Sequence, residues 1–204
     1  WVYHALYHHA APNKTTASGH SAGRNYSGAF GGTMVGYYAG YQSSGNNNVM
    51  IGYESGMENT GSDNFFMGRG TGWYNTGNNN IMMGYYTGYD ARGSNNIFFG
   101  TNAGYENRGS DNIFLGVSAG SKSIGNDNIF LGYQAGIANT TGTRNLFLGR
   151  QAGNNNVLGS GNIFLGYQAG YSETNSNRLY IDNSNTSAPL VYGEFDTNVL
   201  RING

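Results

Sequence analysis

The apolar residues of this chain come in threes. Phe65-Phe66-Met67, Ile81-Met82-Met83, Ile97-Phe98-Phe99, Ile113-Phe114-Leu115 and Ile129-Phe130-Leu131 are each closed by a Gly and separated by polar, Gly-rich stretches. Leu146-Phe147-Leu148 and Ile163-Phe164-Leu165 continue the series. With the closing Gly as anchor, anchors fall at Gly19, Gly36, Gly52, Gly68, Gly84, Gly100, Gly116, Gly132, Gly149 and Gly166. The spacing is 17, then 16 six times, then 17 twice. Four residues after every anchor stands another Gly, always preceded by Ala, Ser or Thr. Four residues before the anchor stands Asn in eight of the ten repeats.

A period near 16 is too short for two helices, and each Gly would cost a helix about 1 kcal/mol. A β-branched or aromatic triplet bounded by Asn and Gly reads as a short strand. The expected fold is all-β: a parallel β-solenoid of about ten rungs of 16–17 residues, one strand per rung. At roughly 4.8 Å per rung the roll is about 45–50 Å long. The small-Gly pair marks a bend where backbones approach or φ turns positive. Stretches such as "GSDN" and "GNDN" close the rung. Two extra residues, in "ANTTGTRN" and "NNNVLGSGN", fall where a surface loop tolerates them.

Three segments follow: residues 1–18 as an N-terminal cap or the end of a preceding module, 19–172 as the repeat roll, and 173–204 as a C-terminal module. In the last, "NRLYIDNS", "PLVYGEF" and "NVLRING" read as three short strands that cap the open end of the solenoid. Asn48, Asn64, Asn80, Asn96, Asn112, Asn128, Asn145 and Asn162 recur at one corner, abut the strand, and are expected to form an internal hydrogen-bonded ladder.

The uniformly apolar triplets raise a question of direction. Alternate strand residues point to opposite faces, so a one-sided roll would show apolar, polar, apolar. If the outer two residues of each triplet fill the interior, the middle ones face outward. These are Met50, Phe66, Met82, Phe98, Phe114, Phe130, Phe147 and Phe164. Such a stripe exceeds an ordinary exposed patch, and the simplest partner is a copy of the chain. Burying it is worth on the order of 10–20 kcal/mol. The middle residues are therefore expected to form the seam of a homo-oligomer.

The phrase Asn128-Ile129-Phe130-Leu131-Gly132-Tyr133-Gln134-Ala135 resembles the repeat of the YadA-type head of trimeric autotransporter adhesins. It is closer still to the "NIFLGYQAG" repeats of modular, fibre-like proteins of bacteria and phages. The resemblance covers about residues 19–172. It departs in its longer period and its bulky middle residue. It implies a left-handed β-roll assembled as a homotrimer, and a C-terminal segment like the module that follows such rolls in tail-like fibres. An autotransporter would carry a membrane-anchoring barrel, for which these residues offer no segment; that favours a tail fibre, an appendage subunit or a piece of an adhesin.

Composition narrows the function. The net charge of −1 gives no footprint for nucleic acid or anionic membrane, and no Cys is present for disulfide or thiol chemistry. No apolar run reaches the length of a membrane span, and no signal peptide is visible. A first residue of Trp1 rather than Met is expected of a processed or partial chain. No phosphate loop, dinucleotide fingerprint, nucleophile elbow or metalloprotease helix occurs. Asp63, Asp111 and Asp127 share a turn position and are turn formers first. His4 and His8 stand four apart without an acidic or Cys partner, a weak metal pair. No enzymatic activity, cofactor or metal is expected.

The expected function is an extracellular structural or adhesive fibre, on a cell-surface appendage or a virion-like particle: a trimeric rod serving as shaft or presenting itself to a receptor. Two alternatives stand beside it, a subunit of a self-assembling filament and a carbohydrate-binding module. For the latter, the candidate contacts to a cell-surface glycan are Tyr37, Tyr53 and Tyr85, one after the anchor, and Tyr89 and Tyr105, one after the second Gly. Such rows also stack on one another as ladders. An ice-binding face would need a regular Thr or Asn row, which the variable exposed positions do not supply.

Overall fold

A computed structural model describes residues 14–203. Among them there is no helix; the chain is a β-solenoid of about ten turns. The strands are β1 (Thr16–Ser18), β2 (Thr33–Val35), β3 (Val49–Ile51), β4 (Phe65–Met67), β5 (Ile81–Met83), β6 (Ile97–Phe99), β7 (Ile113–Leu115), β8 (Ile129–Leu131), β9 (Leu146–Leu148) and β10 (Ile163–Leu165). Each pairs in parallel with the next, triplet over triplet: Ile97 lies beside Ile113, Phe98 beside Phe114, Phe99 beside Leu115. The roll begins earlier than its first anchor, since Thr16–Ser18 already pairs with Thr33–Val35. The His4/His8 pair lies outside the described residues.

Pairing does not stop at the strands. The turns are hydrogen-bonded rung to rung as well: Gly104 N–H donates to Ala119 O (3.0 Å), Glu106 to Tyr89 O (2.7 Å), Arg108 to Ser123 O (2.9 Å) and Asp111 to Ser94 O (3.0 Å). The turns hold their shape with left-handed residues at fixed positions. One is the Asn or Asp before the ladder Asn (Asn95 at φ 60, Asp111 at 61, Asp127 at 60), the residue types that tolerate this region best among those with a side chain. The extra residue in "ANTTGTRN" is taken up as a local bulge, in which Thr140 O accepts from both Ile124 N–H (2.7 Å) and Gly125 N–H (3.0 Å).

The interior corrects the expected direction of the triplets. Met50, Phe66, Met82, Phe98, Phe114, Phe130, Phe147 and Phe164 are fully buried within the single chain and form its core rather than a seam. The outer triplet residues point away, so Ile129 is 37% and Leu148 45% exposed. The physical reason is alternation. The ladder Asn precedes the triplet and is itself buried, so the next residue faces out, the middle one in and the third out. From Phe98 to Phe164 the inner rings stack at 4.7–4.9 Å between centroids, within 8° of parallel. They lie against the small-Gly pair of the opposite turn. Gly120 has φ +56, and a Cβ there would run into the Phe114 ring. The pair is thus the wall that leaves room for an aromatic ring.

The eight ladder asparagines work through both ends of the amide. Each Oδ1 but the last accepts from the backbone N–H of the next Asn, as from Asn64 to Asn48 (2.9 Å) and from Asn128 to Asn112 (2.9 Å), and Asn162 accepts from Arg178 N–H (2.8 Å). The Nδ2 of each of the first seven donates to a Gly carbonyl one rung on, as Asn112 to Gly125 O (3.1 Å), and that of Asn162 to Asn175 O (2.9 Å). A second buried amide column, containing Asn59, Asn75, Asn107, Asn139 and Asn156, runs beside the first; Gly61 O accepts from both Asn48 and Asn59, and Gly77 O from both Asn64 and Asn75. There Asn75 Nδ2 donates to Asn59 Oδ1 (2.8 Å) and to Gly77 O (2.7 Å).

The C-terminal segment holds three strands, β11 (Arg178–Ile181), β12 (Val191–Glu194) and β13 (Val199–Ile202). β11 continues the parallel sheet, with Tyr180 beside Phe164. β12 and β13 then pair antiparallel, one on the next.

Two variants test this interior. Phe114→Ala is expected to destabilise the chain by about 3–5 kcal/mol, read from denaturant midpoints, because it opens a gap in a continuous ring stack. Asn112→Ala strands the Asn128 N–H and the Gly125 carbonyl, at about 1–3 kcal/mol each. A melting curve unchanged by Asn112→Ala would show that the ladder contributes nothing.

Candidate interaction surfaces

The outward face of the parallel sheet is a long, uniform surface. Each strand from β2 to β11 gives it two residues, one from each end of the triplet, and all but Thr33 are apolar. The two columns stand about 6.6 Å apart and run roughly 45 Å along the sheet. No charged side chain interrupts them. The face exists because the inner register is set by the Asn and Phe columns, so the remaining triplet positions have only one direction left.

The tyrosines named as candidate glycan contacts separate into two places. Tyr37, Tyr53 and Tyr85 stand in one exposed column just beyond the sheet. Tyr37 stacks on Tyr53 at 5.0 Å and 10°. Arg69 lies between Tyr53 and Tyr85, its guanidinium 5.1 and 5.7 Å from their ring centres. This column is largely occupied by its own members. Tyr89 and Tyr105 lie elsewhere, stacked at 5.1 Å and 6°, beside Trp73 and Tyr86 around a depression of about 300 Å³. Tyr86 escapes a reading based on the two tyrosine rows, because its position carries Gln, Ser or Asn in most other rungs. Its signal is Gly70 at the same position one rung before, which leaves space beneath the Tyr86 ring.

The C-terminal strands carry most of the remaining polar contacts. Tyr180 donates to Glu173 Oε2 (2.8 Å); burial, and then this bond, push its hydroxyl above its ordinary value. Asp182 accepts from Ser184 Oγ (2.6 Å) and Leu190 N–H (2.8 Å), which hold its carboxyl below the ordinary range. Glu194 is lowered likewise by Thr197 and Tyr192, both at 2.7 Å. Beside these strands a cavity of about 270 Å³ is lined by Tyr180, Tyr192, Arg201 and neighbours. Among the described residues, no three His, Cys, Asp or Glu side chains are grouped to hold a metal ion. No described helix is long and apolar enough to cross a membrane.

No protein-family model, curated protein or solved structure matches the chain.

The carboxylates give a pH dependence. A carboxyl lowered by folding adds stability that is fully present above its unfolded pKa and is lost as pH falls through its folded value. Asp182 and Glu194 therefore contribute stability to the C-terminal strands at neutral pH that is lost in acid, whereas the amide ladders do not titrate. Limited pepsin digestion at about pH 3 is expected to cut first within residues 182–198. First cuts inside the repeats would refute this.

Proposed function

We propose that the chain is a rod-shaped structural element of an extracellular fibre, and that copies of it associate as a homotrimer along the outer face of the sheet. One observation carries this reading: the unbroken pair of apolar columns from β2 to β11. A soluble single chain seldom leaves a patch of roughly 45 Å by 10 Å in water. The columns are straight and their composition barely changes, so they suit a partner with the same rise per rung, which is another copy of the roll. The seam moves from the middle triplet residues to the outer ones, and the reason for expecting one is unchanged. The trimer in particular is supported by the likeness of the Asn-x-x-Leu-Gly-x-x-Ala phrase to the YadA-type head and to bacterial and phage fibre repeats. With its polar turns outward, such a rod serves as a shaft or as the body of an adhesive tip.

The test is stoichiometry. Sedimentation equilibrium at micromolar concentration is expected to give a trimer. Ile129→Asp combined with Leu131→Asp is expected to give a monomer with the parent β-sheet circular dichroism, because both side chains leave the roll. A soluble wild-type monomer, or a double variant that still assembles, would overturn the proposal.

A further inference from the structure

The fourth to sixth rungs break the repeat in one place. Trp73, Tyr89 and Tyr105 occupy successive levels of the column after the second Gly, and Tyr86 enters beside them from a neighbouring column. Tyrosine recurs in these columns at Tyr41 and Tyr171 and at Tyr38, but other rungs fill them without any ring, with Met57 and Ser121 in the first and Gln134, Gln151 and Gln168 in the second. The glutamines form their own ladder at 3.2 and 2.9 Å. Folding of a rung therefore does not require aromatic residues at either position. A pure packing role fits poorly for a second reason: the indole Nε1 of Trp73 is buried with no hydrogen-bond partner, a cost that Met or Tyr, used nearby in the column, avoids.

We propose that this depression binds a neutral saccharide, with Trp73, Tyr86, Tyr89 and Tyr105 as the platform for a pyranose face. The ring geometry matches such a ligand. Tyr89 stands at 63° to Trp73 and 73° to Tyr86, so flat walls meet at an angle in a shallow, open hollow. A pyranose presents apolar C–H faces to rings and hydroxyls at its edge. For the hydroxyls, Asp90 follows Tyr89 and is held in a two-point pair with Arg92 at 3.2 and 3.3 Å. Both are planar groups that can accept from or donate to adjacent hydroxyls. Burial first, and then neighbouring groups that include Asp90, raise the hydroxyls of Tyr89 and Tyr105 above their ordinary value, and a tyrosine hydroxyl is in any case a neutral donor at about pH 7.

Other ligands with flat or cationic groups fit less well. A nucleic acid would bring phosphates beside Asp90 and Glu106. A quaternary ammonium ion needs rings enclosing it, whereas Tyr89 and Tyr105 each spend one face on the other. The site lies on turns, not on the sheet face, and the proposal does not rest on how copies of the chain assemble.

The test uses the full chain with Trp1→Phe, which leaves Trp73 as the single indole reporter. Cellohexaose, maltohexaose, a β-1,3-glucan hexasaccharide and a β-1,4-galactan hexasaccharide are titrated to about 10 mM, with tetramethylammonium chloride in parallel. At least one saccharide is expected to change Trp73 emission saturably. Tyr89→Ser and Tyr86→Gln, residue types these columns already carry in other rungs, are expected to weaken that binding about tenfold without lowering the melting temperature. No response to any of the four, a response that both variants leave intact, or tighter binding of tetramethylammonium than of every saccharide would overturn the assignment.

Discussion

The structure depends on rung-to-rung hydrogen bonding that is parallel, in register and carried around nearly the whole turn. Once the backbone of one rung lies on the next with no offset, each side chain sits about 4.8 Å above its equivalent in the rung before. A column then admits only residues that tolerate their own kind at that distance. Phenylalanine does, as offset rings; asparagine does, because its amide both donates and accepts along the axis; glutamine does the same on the surface. Carboxylates do so poorly; at the left-handed turn position two of them have an Asn on the rung before, where Asn47 donates to Asp63 and Asn95 to Asp111, each at 3.0 Å, and only Asp111 and Asp127 follow one another. The low charge content of 10% is thus a consequence of the architecture. The same constraint explains why Arg69 is flanked by tyrosines rather than by another cation.

Much of this was legible from spacing alone. The period, the strands, the Asn corner and the three C-terminal strands each rest on residues whose chemistry admits few other readings. The direction of the triplets was not legible from the triplets, since Ile113, Phe114 and Leu115 are all apolar and alternation leaves two equal solutions. It was legible from their neighbour. An internal Asn112 and an inward Ile113 would require two consecutive residues on one face of a strand, so the amide ladder and a middle-residue seam were incompatible from the start. The uniform bulk of the middle position, opposite an invariant small-Gly pair, pointed the same way.

Two features were hidden for a different reason. The second amide column is interrupted by Ser43, Ala91, Ser123 and Tyr26, so no single residue type announces it, yet every one of these positions is buried. The aromatic depression draws on two columns over three rungs and appears only once the roll is wound. The C-terminal strands show a further limit of pattern. β11 has the same spacing from β10 as any repeat and joins the sheet as one, although its sequence has left the Asn-Gly phrase behind. Its neighbours β12 and β13 reverse direction, since an antiparallel partner needs only a short turn, while a parallel one needs a full circuit.

The ladders run along the axis of the roll, and this sets how it would yield under load. Tension applied between the two ends of the chain strains the bonds of the outermost turn first, since interior turns are held from both sides. Once that turn lets go, roughly 16 residues become free at once, about 55 Å of extended chain at the usual reach per residue. The next turn then meets the same force with the same set of bonds. A pulled roll would therefore lengthen in near-equal steps from its ends inward, each step a turn, and would act as a series of alike mechanical fuses rather than a single brittle link.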